Sequence, residues 1–407
     1  MRRLLFLVGA IVLVDTMFFA ALTPLLRHYV DELDLGKAGA GVLQAMYPAG
    51  ALVAAIPGGM AAARFGVKPT VLIGLSLLAV TTVAFGLANS VWALDLARFL
   101  QGMSSAFSWT GSLSWLVAAS PPGRRGQLIG SAFGAAIAGA LFGPVLGAVA
   151  SFTGTAAAFS AVAGLALLLA FFAWRTPAAK PEVPQPVRML FRALNVRSIQ
   201  VPFWLCLLPA LLFGNLSVLA PLRLSHLGWS AAAIGGTYLC MAAIEAAWAP
   251  ILGRAADHFG RMPPLRAALL GAAIVSFLLP WPQSPWVLAL VIVCAGFAYG
   301  SFWTPAMSMV TDEAESFGLD YGYAFALINI AWAPGQAGGA ALGGLLAAAT
   351  SDAVPYLILS GLCVLTLVTV TRLSRTPPIG TAPQSSVPVQ AHPRGPGAAA
   401  PHRAPPR

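Results

Sequence analysis

Long apolar runs, broken by short polar turns, repeat along the whole chain. Read in order they predict helical spans near residues 4–26, 41–63, 69–88, 92–118, 128–150, 156–174, 200–222, 231–253, 265–281, 286–310, 320–347 and 354–372. Each is roughly the 20 residues a helix needs to cross about 30 Å of hydrocarbon, and none shows the short alternation of a membrane strand. The pattern predicts an all-α integral membrane protein of about twelve transmembrane helices.

The turns repeat as well. Gly59-Met-Ala-Ala-Ala-Arg64-Phe-Gly66-Val-Lys68 recurs as Gly253-Arg-Ala-Ala-Asp257-His258-Phe-Gly260-Arg261-Met, with Gly66 and Gly260 lying 194 residues apart, close to half the chain. Two copies of one bundle follow from this: residues 1–174 as an N-terminal six-helix bundle and 200–372 as a pseudo-symmetric C-terminal one. Residues 175–199, with Pro181, Pro184 and Pro186 and five basic residues, form the linker between them. The stretch 373–407 is rich in Pro and Ala, carries no acid, and is expected to be a disordered tail.

Composition agrees with the pattern, since 58% of residues are hydrophobic and 9% charged. Such a surface does not keep a soluble globule dispersed. The net charge of +10 is spread over alternate turns rather than gathered on one face, so nucleic acid is not implied. Arg2, Arg3, Arg64, Lys68, Arg124, Arg125, the linker arginines, Arg254, Arg261, Arg266 and Arg372 all fall on one side, which predicts that both termini are cytoplasmic in the cell membrane. The basic linker is expected to lie against anionic membrane lipids. The apolar opening continues past Asp15 to Pro24, as a retained first span does and a cleaved signal does not. Cys206, Cys240, Cys294 and Cys363 lie in apolar spans, without a disulfide framework or a metal spacing.

The Gly-rich turn, repeated in both halves, resembles the loop between the second and third spans of the major facilitator superfamily. The first copy keeps Gly59, Arg64, Gly66 and Lys68 but has Ala63 where the family has an acid; the second keeps Gly253, Asp257, Gly260 and Arg261. Its glycines are expected to allow tight turns and close helix approach, and its acid and base to latch one conformation, less firmly in the N-terminal half. Gly139-x-x-x-Gly143-Pro144-x-x-Gly147 in the fifth span resembles the motif of the family's proton-coupled exporters, here read as a packing stripe with a bend. Arg98-Phe-Leu-Gln101-Gly102 resembles the fourth-span pattern, in which the resemblance implies a part in proton transfer for Arg98; pairing with Asp95 is the other reading. Asp15 resembles the acid in the first span of the drug-exporting branch.

Asp15 and Glu245 are the acids deep inside spans. A carboxyl group that passes between dry and wet settings changes its proton affinity, which proton coupling requires; a fixed structural hydrogen bond is the alternative for each. Gln44, Tyr47, Trp109, Asn215, Tyr238, Asn329 and Trp332 are candidates to line a substrate cavity, although most aromatics in a bundle are core. Arg27, His28, Arg223 and His226 are expected at the outer mouth as interfacial anchors. No phosphate-cradling loop appears, so bound ATP is not expected to power transport, and no cofactor or metal is implied. An intramembrane enzyme lacks clustered nucleophile, base or ligands here. The residues point to a monomeric secondary transporter that exports a small organic molecule by proton antiport. Uptake of a sugar, organic acid or other metabolite is the alternative.

Overall fold

The computed structural model describes residues 2–120, 125–178, 185–319 and 321–373, so the predicted tail and parts of the fourth-to-fifth turn and of the linker lie outside the described residues. The helices are α1 (Arg2–Glu32), α2 (Lys37–Phe65), α3 (Val67–Leu87), α4 (Val91–Ala118), α5 (Arg125–Thr153), α6 (Thr155–Arg175), α7 (Arg188–Leu194), α8 (Arg197–His226), α9 (Ala231–Phe259), α10 (Met262–Leu278), α11 (Pro285–Ser316), α12 (Tyr321–Ala349) and α13 (Ala353–Leu373). Among the described residues nine helices are long and apolar enough to cross a membrane, and α10 is a shorter apolar helix. α7 is a short helix in the linker, with Leu190 and Ala193 buried.

Several helices outrun the apolar stretches that announced them. α1 continues to Glu32, where Arg27 pairs with Asp31 (2.6 Å) and His28 Nε2 lies 3.1 Å from Glu32, so Arg27 and His28 are engaged one turn along their own helix. α10 instead stops at Leu278, short of the expected 281, because Pro280 and Pro282 withhold the backbone donors that another turn needs.

Within the N-terminal half α1 packs on α5, α2 on α4, and α3 on α4 and α6; in the other half α8 packs on α12 and α11, α9 on α11, and α10 on α13. The two halves repeat the same helix pairings, and several contacts recur at the spacing seen in the sequence. Gly66 (φ 93°) and Gly260 (φ 80°) end α2 and α9 in a left-handed conformation that a Cβ disfavours. Gly102 of α4 lies on the backbone of Tyr47 in α2, and Gly296 of α11 lies on Met241 of α9, each partner again 194 residues on.

The halves meet through α2 against α12 and α5 against α9. Gly41 fits onto the carbonyl of Ala340 and the Cα of Gly344, and Gly235 of α9 faces the carbonyl of Pro144 in α5. Lys37 Nζ lies 2.5 Å from Asp352 Oδ1 across the same seam. Lys37 opens α2, and Asp352 sits just before α13, so these contacts close the end of the bundle away from the chain termini. Below, that end is the distal face and the other the terminal face.

Candidate functional site

A polar stripe runs along α4. Arg98, Gln101, Ser105 and Trp109 recur at helical spacing, which sets them on one face; Arg98, Ser105 and Trp109 meet α1 and α2 there and Gln101 reaches α3. Asp15 of α1 meets that face. Its Oδ2 accepts hydrogen bonds from Ser105 Oγ (2.7 Å), Trp109 Nε1 (2.8 Å) and Tyr47 Oη (3.0 Å), while Oδ1 is buried without a partner. The side chain is 2% exposed, so three donors converge on a carboxylate taken out of water.

Arg98, fully buried, lies beside this cluster. Its guanidinium carbon is 4.9 Å from the ring centre of Tyr47, 5.7 Å from Phe18, 5.8 Å from Phe85 and 6.0 Å from Phe19. The aromatic faces offer cation–π attraction in place of water. Its hydrogen bonds to Gln101 Oε1 and the Phe19 carbonyl are long, 3.5 Å each, and Nε has no partner. Gln101 is held in turn by the Thr81 carbonyl at 3.1 Å. Asp95 takes no hydrogen bond on Oδ1, and no ion pair with Arg98 forms among the described residues. Tyr47 therefore touches both buried ionisable groups, bonded to Asp15 through its hydroxyl and presenting its ring to Arg98.

The α5 glycines hold α1 in register with this cluster. Gly139 rests on the carbonyl of Leu13 and beside Thr16, Gly143 on Met17 and Ala20, and Gly147 on the Ala21 carbonyl and Pro24, one contact per turn along both helices. α5 remains helical through Pro144. α12 makes the corresponding stripe on α8, with Gly335 on Leu207, Gly339 on Leu211 and Gly343 on Asn215.

Glu245 stands apart from the Asp15 cluster, at the middle of α9. It lies on the face turned to α11, opposite the exposed stripe of Cys240, Ile244, Ala247 and Ile251. A side chain at Gly300 would meet its Cδ at 2.8 Å, so the glycine makes room for the acid. One turn on, Trp248 Nε1 donates to Ser301 Oγ at 3.0 Å.

The other sequence candidates divide. Trp332 of α12 lies edge-on to Phe19 at 5.7 Å and Phe19 stacks on Tyr47 at 4.9 Å, so an aromatic wall joins the two halves beside the cluster. Gln44 is buried with Oε1 unpartnered, and Asn215 is buried with both amide atoms unpartnered. Asn329 is half-buried. Tyr238 is elsewhere, its hydroxyl donating to the Leu216 carbonyl at 2.9 Å.

The Gly-rich turns need one correction. Gly59 has nothing within 4 Å of where a Cβ would stand, so it is not a close-approach position; Gly58, facing the Ala106 carbonyl at 3.2 Å, takes that part. Arg64 lies over Phe65 at 5.7 Å, and neither Arg64 nor Lys68 forms an ion pair among the described residues. In the second half Arg261 pairs with Asp312 of α11 at 2.5 Å, joining the turn to a neighbouring helix. The corresponding first-half residues, Val67 and Ala118, carry no charge. Gly253 and Asp257 fall in α9 but outside the residues whose side chains are described.

Sequence reasoning passed over Ser105, Phe18, Phe19 and Phe85. Ser105 shares the helical spacing of Gln101 and Trp109 along α4, but nothing in the sequence sets it apart from the other serines of that helix. The phenylalanines carried no signal that set them apart from core. Among the described residues no group of His, Cys, Asp or Glu could hold a metal ion. Chemically, the cluster offers one buried carboxyl group able to take and release a proton, and a buried cation able to answer its charge.

The sequence profile of the Major Facilitator Superfamily matches residues 5–335 and 218–402. An uncharacterized MFS-type transporter of Yersinia pestis (strain Pestoides F) is 27% identical over 315 residues, covering 75% of this chain and 79% of that protein. The MFS-type transporter ppzB of Metarhizium rileyi is 34% identical over 168 residues, 40% of this chain and 33% of that protein. The xylose transporter XylE from E. coli, in a partially occluded inward open conformation, superposes with a TM-score of 0.74 at 16% identity, over 92% of this chain and 99% of its own. The human organic anion transporter MFSD10 (TETRAN) gives 0.70 at 18% identity, over 91% and 99%. With the duplicated bundles and the span-filling profile match together, the chain belongs to the Major Facilitator Superfamily and is a multi-pass membrane transporter rather than an enzyme.

Proposed function

We propose that the chain exports a small organic molecule in exchange for protons, alternating access between the two membrane faces as its halves rock. The observation that carries this reading is the buried Asp15 carboxyl, with three donors on one oxygen, none on the other, and Arg98 held close by without an ion pair. Such a group is costly at membrane depth unless it is used. In the exchange Asp15 takes a proton from one side and releases it to the other, Arg98 answers its charge, and Glu245 provides a second acid in the opposite half. Phe19, Tyr47, Trp109 and Trp332, with the amides of Gln44, Asn215 and Asn329, line the path of the substrate. Tyr238 serves as packing. The glycine stripes of α5 and α12 are the surfaces along which helices shift, and the turns at Gly66 and Gly260 are the points where they pivot. Both termini face the cytoplasm, as the placement of the arginines supports.

Uptake of a sugar, organic acid or other metabolite is the second reading, supported by the fold shared with a D-xylose-proton symporter (TM-score 0.72). A sensitivity screen of cells lacking or overproducing the chain identifies a compound. Vesicles holding that labelled compound are then given an inward proton gradient. Expulsion supports antiport, whereas accumulation supports the second reading and overturns the first.

A further inference from the structure

Two buried amides, Gln44 and Gln336, come together where the halves meet. On α12, Trp332 lies edge-on to Phe19 of α1, and Ala340 presents its carbonyl to Gly41 of α2. Gln336 falls between these two, one turn from each and on the same side of the helix. On α2, Gly41 sits on that Ala340 carbonyl, and Tyr47 stacks on the same Phe19 at 4.9 Å. Gln44 falls between them, three residues from each. Because the flanking contacts are shared, Gln44 and Gln336 stand opposite one another across the seam, one from each half.

The seam widens along this stretch. At Gly41 and Ala340 the backbones come into contact, whereas at the other end the ring of Phe19 stands between Tyr47 and Trp332. The amides sit in the wedge between. Gln44 is 1% exposed and Gln336 4%, so both are out of water. Gln44 Oε1 has no partner, and no side-chain hydrogen bond of Gln336 is seen among the described residues. A buried amide left open is costly, and a second group that completes it offsets the cost. Phe19 and Trp332 are only half-buried, so free aromatic surface adjoins the amides. An amide both donates and accepts, which lets the pair hold a single hydroxyl or carboxamide between them. Gly41, Tyr47, Trp332 and Ala340, which flank the amides, carry no charge, and an ionic group there would lack a counterpart.

We propose that Gln44 and Gln336 set specificity by binding a neutral hydroxyl or carboxamide of the transported molecule, whose flat apolar part lies on Phe19 and Trp332. This rests on the substrate path proposed above and not on the direction of transport. Cells with and without the chain are tested against growth-inhibiting aryl alcohols and aryl carboxamides, each paired with its O-methyl or N,N-dimethyl form. The change in inhibitory concentration that the chain causes is expected to be several-fold larger for the free member of a pair than for the methylated one. Export shows it as protection and uptake as sensitisation, so failure of the export reading reverses the sign and leaves the pair difference. Gln336→Met and Gln44→Met keep length and lose donor and acceptor. In each, at unchanged abundance, the free member is expected to fall to the level of the methylated one. Equal changes within pairs in wild type, or a panel to which the chain makes no difference, overturn the proposal. A pair difference that survives in one variant overturns the part given to that residue, as does loss of both members' response together. If a methionine variant does not accumulate, equilibrium binding of the most affected pair, tritiated, to purified Gln336→Asn and Gln44→Asn decides. Those variants draw the amide back and are expected to lose preference for the free member, and a preference equal to wild type overturns the proposal.

Discussion

Tyr47 donates a hydroxyl hydrogen bond to Asp15 at 3.0 Å and lays its ring 4.9 Å from the guanidinium of Arg98, so a single side chain touches both of these buried ionisable groups of the N-terminal bundle. A hydrogen bond to a charged group is worth about 1.5–3 kcal/mol, or roughly a tenfold to hundredfold change in an equilibrium. Tyr47→Phe keeps the ring and removes that bond. Proton-driven transport is expected to fall about tenfold or more at unchanged protein abundance, and to fall further in the Tyr47→Phe/Ser105→Ala double variant. A rate within twofold of wild type in both would show that these donors do not set the behaviour of Asp15.

The α5 stripe leaves no room for side chains. At Gly139 a Cβ would run into the Leu13 carbonyl, and at Gly143 it would meet the Met17 carbonyl at 2.7 Å. Overpacking of this kind costs about 1–3 kcal/mol, and here it displaces the helix that carries Asp15. Gly143→Val is expected to lower thermal stability and to abolish transport, whereas the same change at Gly59, which has open space, leaves both nearly intact. Melting curves of the two purified variants make the comparison, and equal losses would contradict it.

Lys37 and Asp352 are joined across the halves at 2.5 Å, with side chains 38% and 20% exposed. Solvent screens a pair this open, so its worth is about 0.2–1 kcal/mol, a shift of at most about fivefold between states. Lys37→Gln is expected to raise the labelling rate of cysteines placed in the distal half of the path by up to that factor. The exchanged pair Lys37→Asp/Asp352→Lys is expected to restore the slow rate. If the exchanged pair labels as fast as the single variant, the ion pair is not part of the closure.

Glu245 fills the space left by Gly300 with no hydrogen-bond partner seen among the described residues. Glu245→Gln keeps the shape and loses the charge. Loss of proton-driven efflux with abundance unchanged is the expected result, and full efflux would remove this acid from coupling.

The duplication was legible because it rests on backbone demands. Positive φ at Gly66 and Gly260 and close contact at Gly102 and Gly296 leave small residues that recur visibly in the sequence. The helix count was legible too, since hydrocarbon thickness sets the length of every span. Asp15 and Arg98 stood out because charge at that depth is rare. What could not be read is which side chains converge on them. Ser105 and Thr81 are common residues of apolar helices, and only the packing of α1, α2, α3 and α4 gives them partners. Gly58 and Gly59 differ by a rotation of one residue, which decides that the first meets α4 and the second nothing. Helix ends were misplaced where hydropathy and structure part: polar side-chain pairs one turn apart accompany α1 on to Glu32, and prolines stop α10 early.

Uphill transport by Asp15→Asn vesicles is the most decisive experiment. With an imposed proton gradient, and a compound identified by the sensitivity screen, wild type is expected to move that compound against its own concentration gradient. Asp15→Asn is expected only to equilibrate it, while still exchanging labelled for unlabelled compound. Uphill movement by Asp15→Asn at the wild-type rate would contradict the coupling of transport to protons through this carboxyl group.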